Sequence, residues 1–136
     1  MDRQQASKLI QDLMVISQER GASDLFITAD FPPAIKVNGK LTKLSQRGFD
    51  EHQTMALARA LMTDRQIATF EHTKECNFAV SANALGRFRA NAHLTQGKVG
   101  LVLRRIPDHI PNLQALGLPP VLSQLAMAKR GICIVV

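Results

Sequence analysis

The chain has 136 residues and a mass of 15.0 kDa, with 46% apolar and 21% charged residues. This composition is that of an ordinary soluble domain; it excludes a disordered chain and a fibrous repeat, and no apolar run reaches the roughly 18 residues of a membrane span. The net charge of +6 favours phosphate-bearing or acidic partners. The chain has no Trp or Tyr, however, and its six Phe do not interleave with the basic residues, so a platform on which single-stranded bases could stack is poorly supported.

Three amphipathic helices are predicted in the first half of the chain. The first covers residues 3–20, where apolar side chains recur every three or four residues and Gly21 follows the last turn. The other two cover residues 51–62 and 64–71, and each follows a pair of residues that can form a capping box. Each helix therefore has one apolar stripe for burial against another element.

A β-hairpin is predicted around Asn38–Gly39, which is a strong signal for a tight turn. The register stays open by one residue. A two-residue loop pairs Val37 with Lys40, whereas a three-residue loop pairs Val37 with Leu41 and suits a buried face better.

Further strands are predicted from apolar segments on either side of the second and third helices. A short strand over residues 25–28 follows a turn at Ser23–Asp24. Residues 76–80, 88–94 and 99–103 alternate apolar and polar side chains, which predicts an antiparallel meander with one buried face. The body of the chain therefore belongs to the α+β class.

The pattern changes after Ile106. Residues 108–112 form a proline-bounded linker, and a helix is predicted to begin at Pro119–Pro120 and to end at Gly131. Residues 132–136 are a continuous apolar run, typical of a strand buried on both faces of a parallel sheet. No further strand remains to pair with it, so we interpret residues 113–136 as the start of a larger α/β domain.

Arginines cluster in the segment GRFRANAHLTQGKVGLVLRRIP. Alternation places Arg87 and Arg89 on the polar side of one strand and Arg104 on the next, whereas Arg105 points to the opposite side. Guanidinium groups suit phosphate and carboxylate oxygens. A solvated sheet face with local ion pairs is the alternative interpretation.

Signatures of catalysis are absent from the chain. It has no GxxxxGK[ST] phosphate loop and no GxSxG elbow, and its Cys and His residues have no metal-ligand spacing. The chain therefore has no phosphate cradle of its own, and we expect no metal site in it. The number of Ser, Cys, His and Asp residues leaves a catalytic triad open.

Several segments together resemble a known family. GASDLFITADFPPAIKVNGKL, GRFRANA, VLRRIP, LGLPPVLSQLA and KRGICIVV occur in this order. This arrangement is similar to the N-terminal part of the type IV pilus retraction ATPases, the PilT and PilU twitching-motility proteins. The likeness covers essentially the whole chain and is greater on the PilU side.

The resemblance implies a two-part organisation. Residues 1–107 would be a PAS-like N-terminal domain, with an antiparallel sheet flanked by helices, and residues 108–112 a linker. Residues 113–136 would be the first helix and first strand of a RecA-like ATPase domain, truncated before its Walker A loop. ATP and Mg would then be cofactors of the full-length parent, an ATPase. This fragment, which lacks the Walker A and Walker B motifs, would have no cofactor and no ATPase activity by itself.

The resemblance also implies partners and a location. Family members are cytoplasmic homohexameric motors, peripheral at the inner membrane through the pilus machine. The expected partners are the chain's own RecA-like domain, neighbouring subunits and other pilus-motor components, with no nucleic acid and no transmembrane segment.

The family pattern assigns candidate site residues. Arg89 in GRFRAN and Arg104 in VLRRIP match arginines that reach toward nucleotide bound by a RecA-like domain, with Arg87 and Arg105 as secondary candidates. The loop between their strands offers only Lys98 as a further cation. We expect Arg89 and Arg104 to act in the assembled motor and to contribute little to folding.

Two other functions remain open. A free-standing PAS-like ligand sensor would need a large apolar pocket. A basic nucleic-acid-binding module is favoured only by the net charge and would lose affinity steeply with salt. The unpartnered run at residues 132–136 favours the motor domain over both.

Overall fold

A six-stranded antiparallel sheet forms the body of the protein, in a computed structural model that describes all residues, 1–136. The strands are β1 (Asp24–Thr28), β2 (Ala34–Val37), β3 (Lys40–Lys43), β4 (Glu75–Ser81), β5 (Arg87–Thr95) and β6 (Lys98–Ile106). Their order across the sheet is β3-β2-β1-β6-β5-β4. The predicted meander is confirmed as β4-β5-β6, and the predicted first strand lies beside β6 at the centre.

Three helices supply the apolar layer that covers one face of the sheet. They are α1 (Arg3–Glu19), α2 (Glu51–Leu61) and α3 (Asp64–Thr73). The two predicted capping boxes are confirmed at the starts of α2 and α3, and a third at Asp2 begins α1. Satisfied N-terminal amide groups fix where each helix starts, and the apolar stripes then determine which side faces the sheet.

The hydrophobic core lies between these helices and the covered face of the sheet. Its most deeply buried large side chains are Ile10, Met14, Leu25, Ile27, Ile35, Leu57, Phe88, Val99, Leu101 and Leu103. Alternate residues of the central strands point into this core, so the residues between them share the opposite, open face.

The β2–β3 hairpin has the register that the apolar pattern disfavoured. Val37 pairs with Lys40, so the loop contains only Asn38 and Gly39, both with positive φ. These φ values match the two-residue turn that follows strand twist. The three-residue alternative was wrong because β3 is an edge strand without a buried side, where Leu41 stays 59% exposed.

The segment after β6 differs from the prediction. A short helix α4 covers Val121–Ala126, ending before the predicted stop at Gly131, and residues 132–136 form no strand. From residue 107 onward every residue except Leu122 is exposed. A strand needs a neighbouring strand for its backbone groups, and residues 132–136 have none, so the strand predicted there is not formed.

Candidate anion-binding face

The open face of the sheet carries a line of charged side chains across four strands, here called the charged row. Its members are Arg89 on β5, Arg104 on β6, Asp24 on β1 and Lys36 on β2. Each is the direct cross-strand neighbour of the next. Directly opposed residues on antiparallel strands have Cβ atoms about 5 Å apart, so these charges interact.

The only carboxylate of the charged row is buried and fully engaged. Arg104 Nε donates to Asp24 Oδ1 at 2.8 Å, and Ser23 Oγ donates to Asp24 Oδ2 at 2.8 Å. Burial by itself raises the pKa of Asp24. The hydrogen bonds from Arg104 and Ser23, with the positive charges of Arg104 and Lys36, outweigh that effect and bring the pKa below its usual value.

The two partners of this ion pair differ in exposure. The Asp24 side chain is 6% exposed, whereas that of Arg104 is 71% exposed. The bond from Nε is the only side-chain hydrogen bond of Arg104, so Nη1 and Nη2 have no hydrogen-bond partner within the chain. The end of the guanidinium is therefore open to solvent and able to bind an anion.

Asp24 was missed by the sequence analysis, which assigned it to a turn. It is the first residue of β1, and its partner is eighty positions away in the sequence. A charged residue at the start of a short apolar strand gives a weak signal. Only the pairing of β1 with β6 identifies its role.

The expectation that Arg104 contributes little to folding requires correction. Removing its side chain would leave a buried carboxylate with one hydrogen bond fewer and without its nearest cation. An unsatisfied buried polar group is destabilising. Arg104 therefore contributes to folding as well as presenting its terminal nitrogens.

Arg89 is different because its side chain takes part in no ion pair and no hydrogen bond within the chain. It is exposed beside Arg104, and both line a shallow depression of about 410 Å³. Like charges directly opposite each other on a sheet repel. An anion bound between the two guanidinium groups would remove this repulsion.

The two secondary candidates lie on opposite sides of the sheet. Arg87 lies on the open face two residues from Arg89 and pairs with Ile106. Arg105 lies opposite Phe88 on the helix side, and its backbone N–H donates to the carbonyl of Ser23. The structure therefore brings together Arg87, Arg89 and Arg104 but separates Arg105, and Lys98 is engaged elsewhere by Asp30.

Polar side chains beside Arg89 form an ordered network that restricts one side of the depression. Asn91 Nδ2 donates to Glu75 Oε1 at 3.0 Å and to Asn77 Oδ1 at 2.9 Å, and Asn91 Oδ1 lies 3.0 Å from His93 Nδ1. The open face is therefore more than a uniformly solvated surface, since it combines a fixed amide network with free guanidinium groups.

No group of three or more His, Cys, Asp or Glu residues is placed to hold a metal ion. None of the helices is both long and apolar enough to cross a membrane.

Comparison with known proteins relates the chain to a family. The chain is 43% identical to the type IV pilus ATPase PilU of Pseudomonas aeruginosa over 126 residues, covering 93% of this chain and 33% of PilU. It is 32% identical to the type IV pilus retraction ATPase PilT of the same organism, covering 93% of this chain and 37% of PilT. No protein-family model matches the chain.

The fold matches a solved structure in the same family. The crystal structure of the pilus retraction motor PilT with bound ADP superposes with a TM-score of 0.71 at 33% identity, covering 88% of this chain and 36% of that one. The chain thus spans about a third of the length of the relatives it matches. It belongs to the family of type IV pilus retraction ATPases and corresponds to their N-terminal part, with more identity to PilU than to PilT.

Proposed function

We propose that this chain is the N-terminal, PAS-like domain of a hexameric pilus retraction ATPase, joined to the first residues of its RecA-like domain. Residues 1–107 form the PAS-like part, 108–112 the linker and 113–136 the start of the ATPase domain. The identity to PilU and PilT supports this assignment, as does the chain's coverage of about a third of each.

The exposed apolar side chains of the final segment support the division into two parts. Val121 and Leu125 on α4, and Ile132, Ile134 and Val135 beyond it, are all exposed. A stripe of this kind is expected to be covered by other elements in the complete protein. In the proposal these elements are the remaining strands and helices of the RecA-like domain, whose phosphate loop and Mg-ATP lie outside this chain.

In the proposed motor the open face supplies arginines to a nucleotide phosphate. The observation that carries this role is the adjacent placement of Arg89 and Arg104, with the terminal nitrogens of both unpaired. Guanidinium groups delivered from a neighbouring domain stabilise charge that develops on a transferring phosphoryl group. Arg87 is a secondary contact on the same face, whereas Arg105 points away from it.

The proposed setting follows from the same assignment. The motor is cytoplasmic, lies at the inner membrane through the pilus machinery, and uses ATP with Mg²⁺ in its complete form. Its partners are the RecA-like domain, neighbouring subunits of the homohexamer and other motor components.

Arg89→Ala in the full-length ATPase tests this function. We expect turnover per assembled hexamer to fall about ten- to a thousandfold, the range for loss of an arginine that stabilises transition-state charge. The matched control is Arg47→Ala, which removes another exposed arginine away from this face. Unchanged turnover in Arg89→Ala would refute the nucleotide-contacting role.

A binding measurement on the 136-residue chain tests the other half of the proposal. Because the phosphate loop is missing, titration with Mg-ATP should give no heat of binding at concentrations of tens of micromolar. A sub-micromolar site in this chain would contradict the assignment of nucleotide binding to the RecA-like domain.

A further inference from the structure

We propose that Asp24 is a positioning residue that orients Arg104 toward the nucleotide phosphate. The inference depends on the proposed function, in which Arg104 is a nucleotide contact. It adds a specific geometry: Asp24 holds Nε, so that only the two terminal nitrogens of Arg104 remain for the anion.

The hydrogen-bond pattern determines which edge of the guanidinium is available. A guanidinium can bind a phosphate through Nε and one Nη or through the two Nη atoms. Asp24 Oδ1 accepts from Nε at 2.8 Å, which leaves Nη1 and Nη2 without partners in the chain. The two terminal nitrogens, Nη1 and Nη2, are therefore the pair of donors presented to a phosphate.

Asp24 is itself held firmly enough to act as an anchor. Ser23 Oγ donates to Oδ2, and the same hydroxyl lies 3.3 Å from the carbonyl oxygen of Lys36 on β2. The carboxylate is thus fixed between β1, β2 and β6, with its side chain 6% exposed. A buried acceptor with both oxygens engaged restricts the otherwise flexible Arg104 side chain.

The order of charges in the charged row gives the anchor a second effect. Arg89 and Arg104 are direct neighbours and repel each other, whereas Asp24 lies on the far side of Arg104 from Arg89. Its charge offsets part of the repulsion and draws Nε toward β1. Arg89 has no such partner, so we infer that Arg104 is preorganised and that Arg89 becomes ordered on binding.

The high exposure of Arg104 argues against a purely structural role for its pair with Asp24. A buried ion pair is often no more stabilising than apolar residues of similar volume. Arg104 is 71% exposed and so contributes little packing to the fold. Preorganisation of the Arg104 guanidinium for anion binding is a function that folding alone does not explain.

The test is a double-mutant cycle in the full-length ATPase. Asp24→Asn removes the charge but keeps the shape, and we expect kcat per assembled hexamer to fall about ten- to a hundredfold because Arg104 is misplaced. The double variant with Arg104→Ala should be no slower than Arg104→Ala alone. Wild-type turnover in Asp24→Asn, or losses that add in the double variant, would overturn the proposal.

Asp30→Asn is the matched control. It removes the same charge and breaks an ion pair with Lys98, away from the charged row. We expect it to leave kcat within about twofold of the wild-type value, as for a surface substitution outside the site. A loss equal to that of Asp24→Asn would assign the effect to net charge and contradict positioning.

A spectroscopic readout separates the inference from the proposed function. In the 136-residue chain, the Nε–H signal of Arg104 should exchange slowly with water, and Asp24→Asn should make it exchange at least about tenfold faster. If Arg104→Ala leaves turnover unchanged while this signal is protected, the proposed function is wrong, but the positioning of Arg104 by Asp24 is supported. If Arg104→Ala is slow but the signal is unprotected in the wild type, positioning by Asp24 fails.

Ser23→Ala keeps the test decisive if Asp24→Asn does not assemble. This variant retains the carboxylate and removes the hydrogen bond that holds Oδ2. Loss of one such bond should lower kcat about two- to tenfold, and should have no effect once Arg104 is Ala. Unchanged turnover in Ser23→Ala would then reject the anchor.

Discussion

Residues 1–106 and residues 107–136 use the same kind of apolar patterning with opposite results. In the first region the stripes of α1 and α2 and the alternating strands meet in one core, where Leu101 and Leu103 are almost completely buried. In the second region α4 and the run at 132–136 stay exposed, and the backbone hydrogen bonds of α4 are local. The difference teaches that an apolar pattern specifies a structure only when the chain also contains the surface that covers it.

The largest expected difference between the regions comes from equal deletions of leucine side chains. Leu101→Ala should lower the free energy of unfolding by about 3 kcal/mol, because it creates a cavity under α2. Leu125→Ala, at a position that is 43% exposed, should change it by less than about 0.5 kcal/mol. Urea denaturation of both variants is the measurement. Similar losses would mean that the final segment packs on the core in solution.

A second comparison sets the two arginines of the open face against each other. Arg104→Ala leaves Asp24 buried without its closest cation, so we expect a loss of about 1–2 kcal/mol. Arg89→Ala should change stability by no more than about 0.5 kcal/mol, since Arg89 has no partner in the chain. Thermal unfolding of both variants at neutral pH compares them. Equal effects would show that the Asp24–Arg104 bond is not formed in solution.

The same ion pair should make the free energy of unfolding depend on pH, with a smaller change than Arg104→Ala causes. The pKa of Asp24 is lowered on folding from 3.8, so its contribution is complete above that pH and is lost as pH falls through the folded value. The loss should be smaller than in Arg104→Ala, because a protonated Asp24 is no longer a buried charge.

The measurement is the stability difference between wild type and Asp24→Asn from pH 6 to pH 2. This difference should be constant at the upper end and shrink as the pH falls below about 4. A difference that does not depend on pH would show that Asp24 has the same pKa in both states.

The smallest effect on stability is expected from removing the final segment. A chain that ends after Ile110 should keep its free energy of unfolding within about 0.5 kcal/mol, since almost no residue beyond this point is buried. Self-association should decrease, because exposed apolar side chains are removed. Chemical denaturation and sedimentation velocity measure the two outcomes. Global unfolding of the shortened chain would contradict the division into two parts.

The sequence by itself determined the local structure and, for most strand residues, the side of the sheet on which they lie. Capping pairs at Asp50 and Thr63 located two helix starts, and period-two alternation in β4, β5 and β6 placed Arg87, Arg89 and Arg104 on one side. These features depend on neighbours within a few residues, so the physics that produces them is visible in the sequence. Local order and spacing of motifs also carried the family resemblance.

Only the tertiary structure decided which strands lie next to each other. The pairing of β1 with β6 brought Asp24 to Arg104, and the edge position of β3 allowed the tight hairpin with Leu41 exposed. Burial and opposing charge act across space, between residues that local patterns do not connect. The same reason explains the absent strand at residues 132–136, where the sequence supplied the propensity but the chain supplied no neighbouring strand.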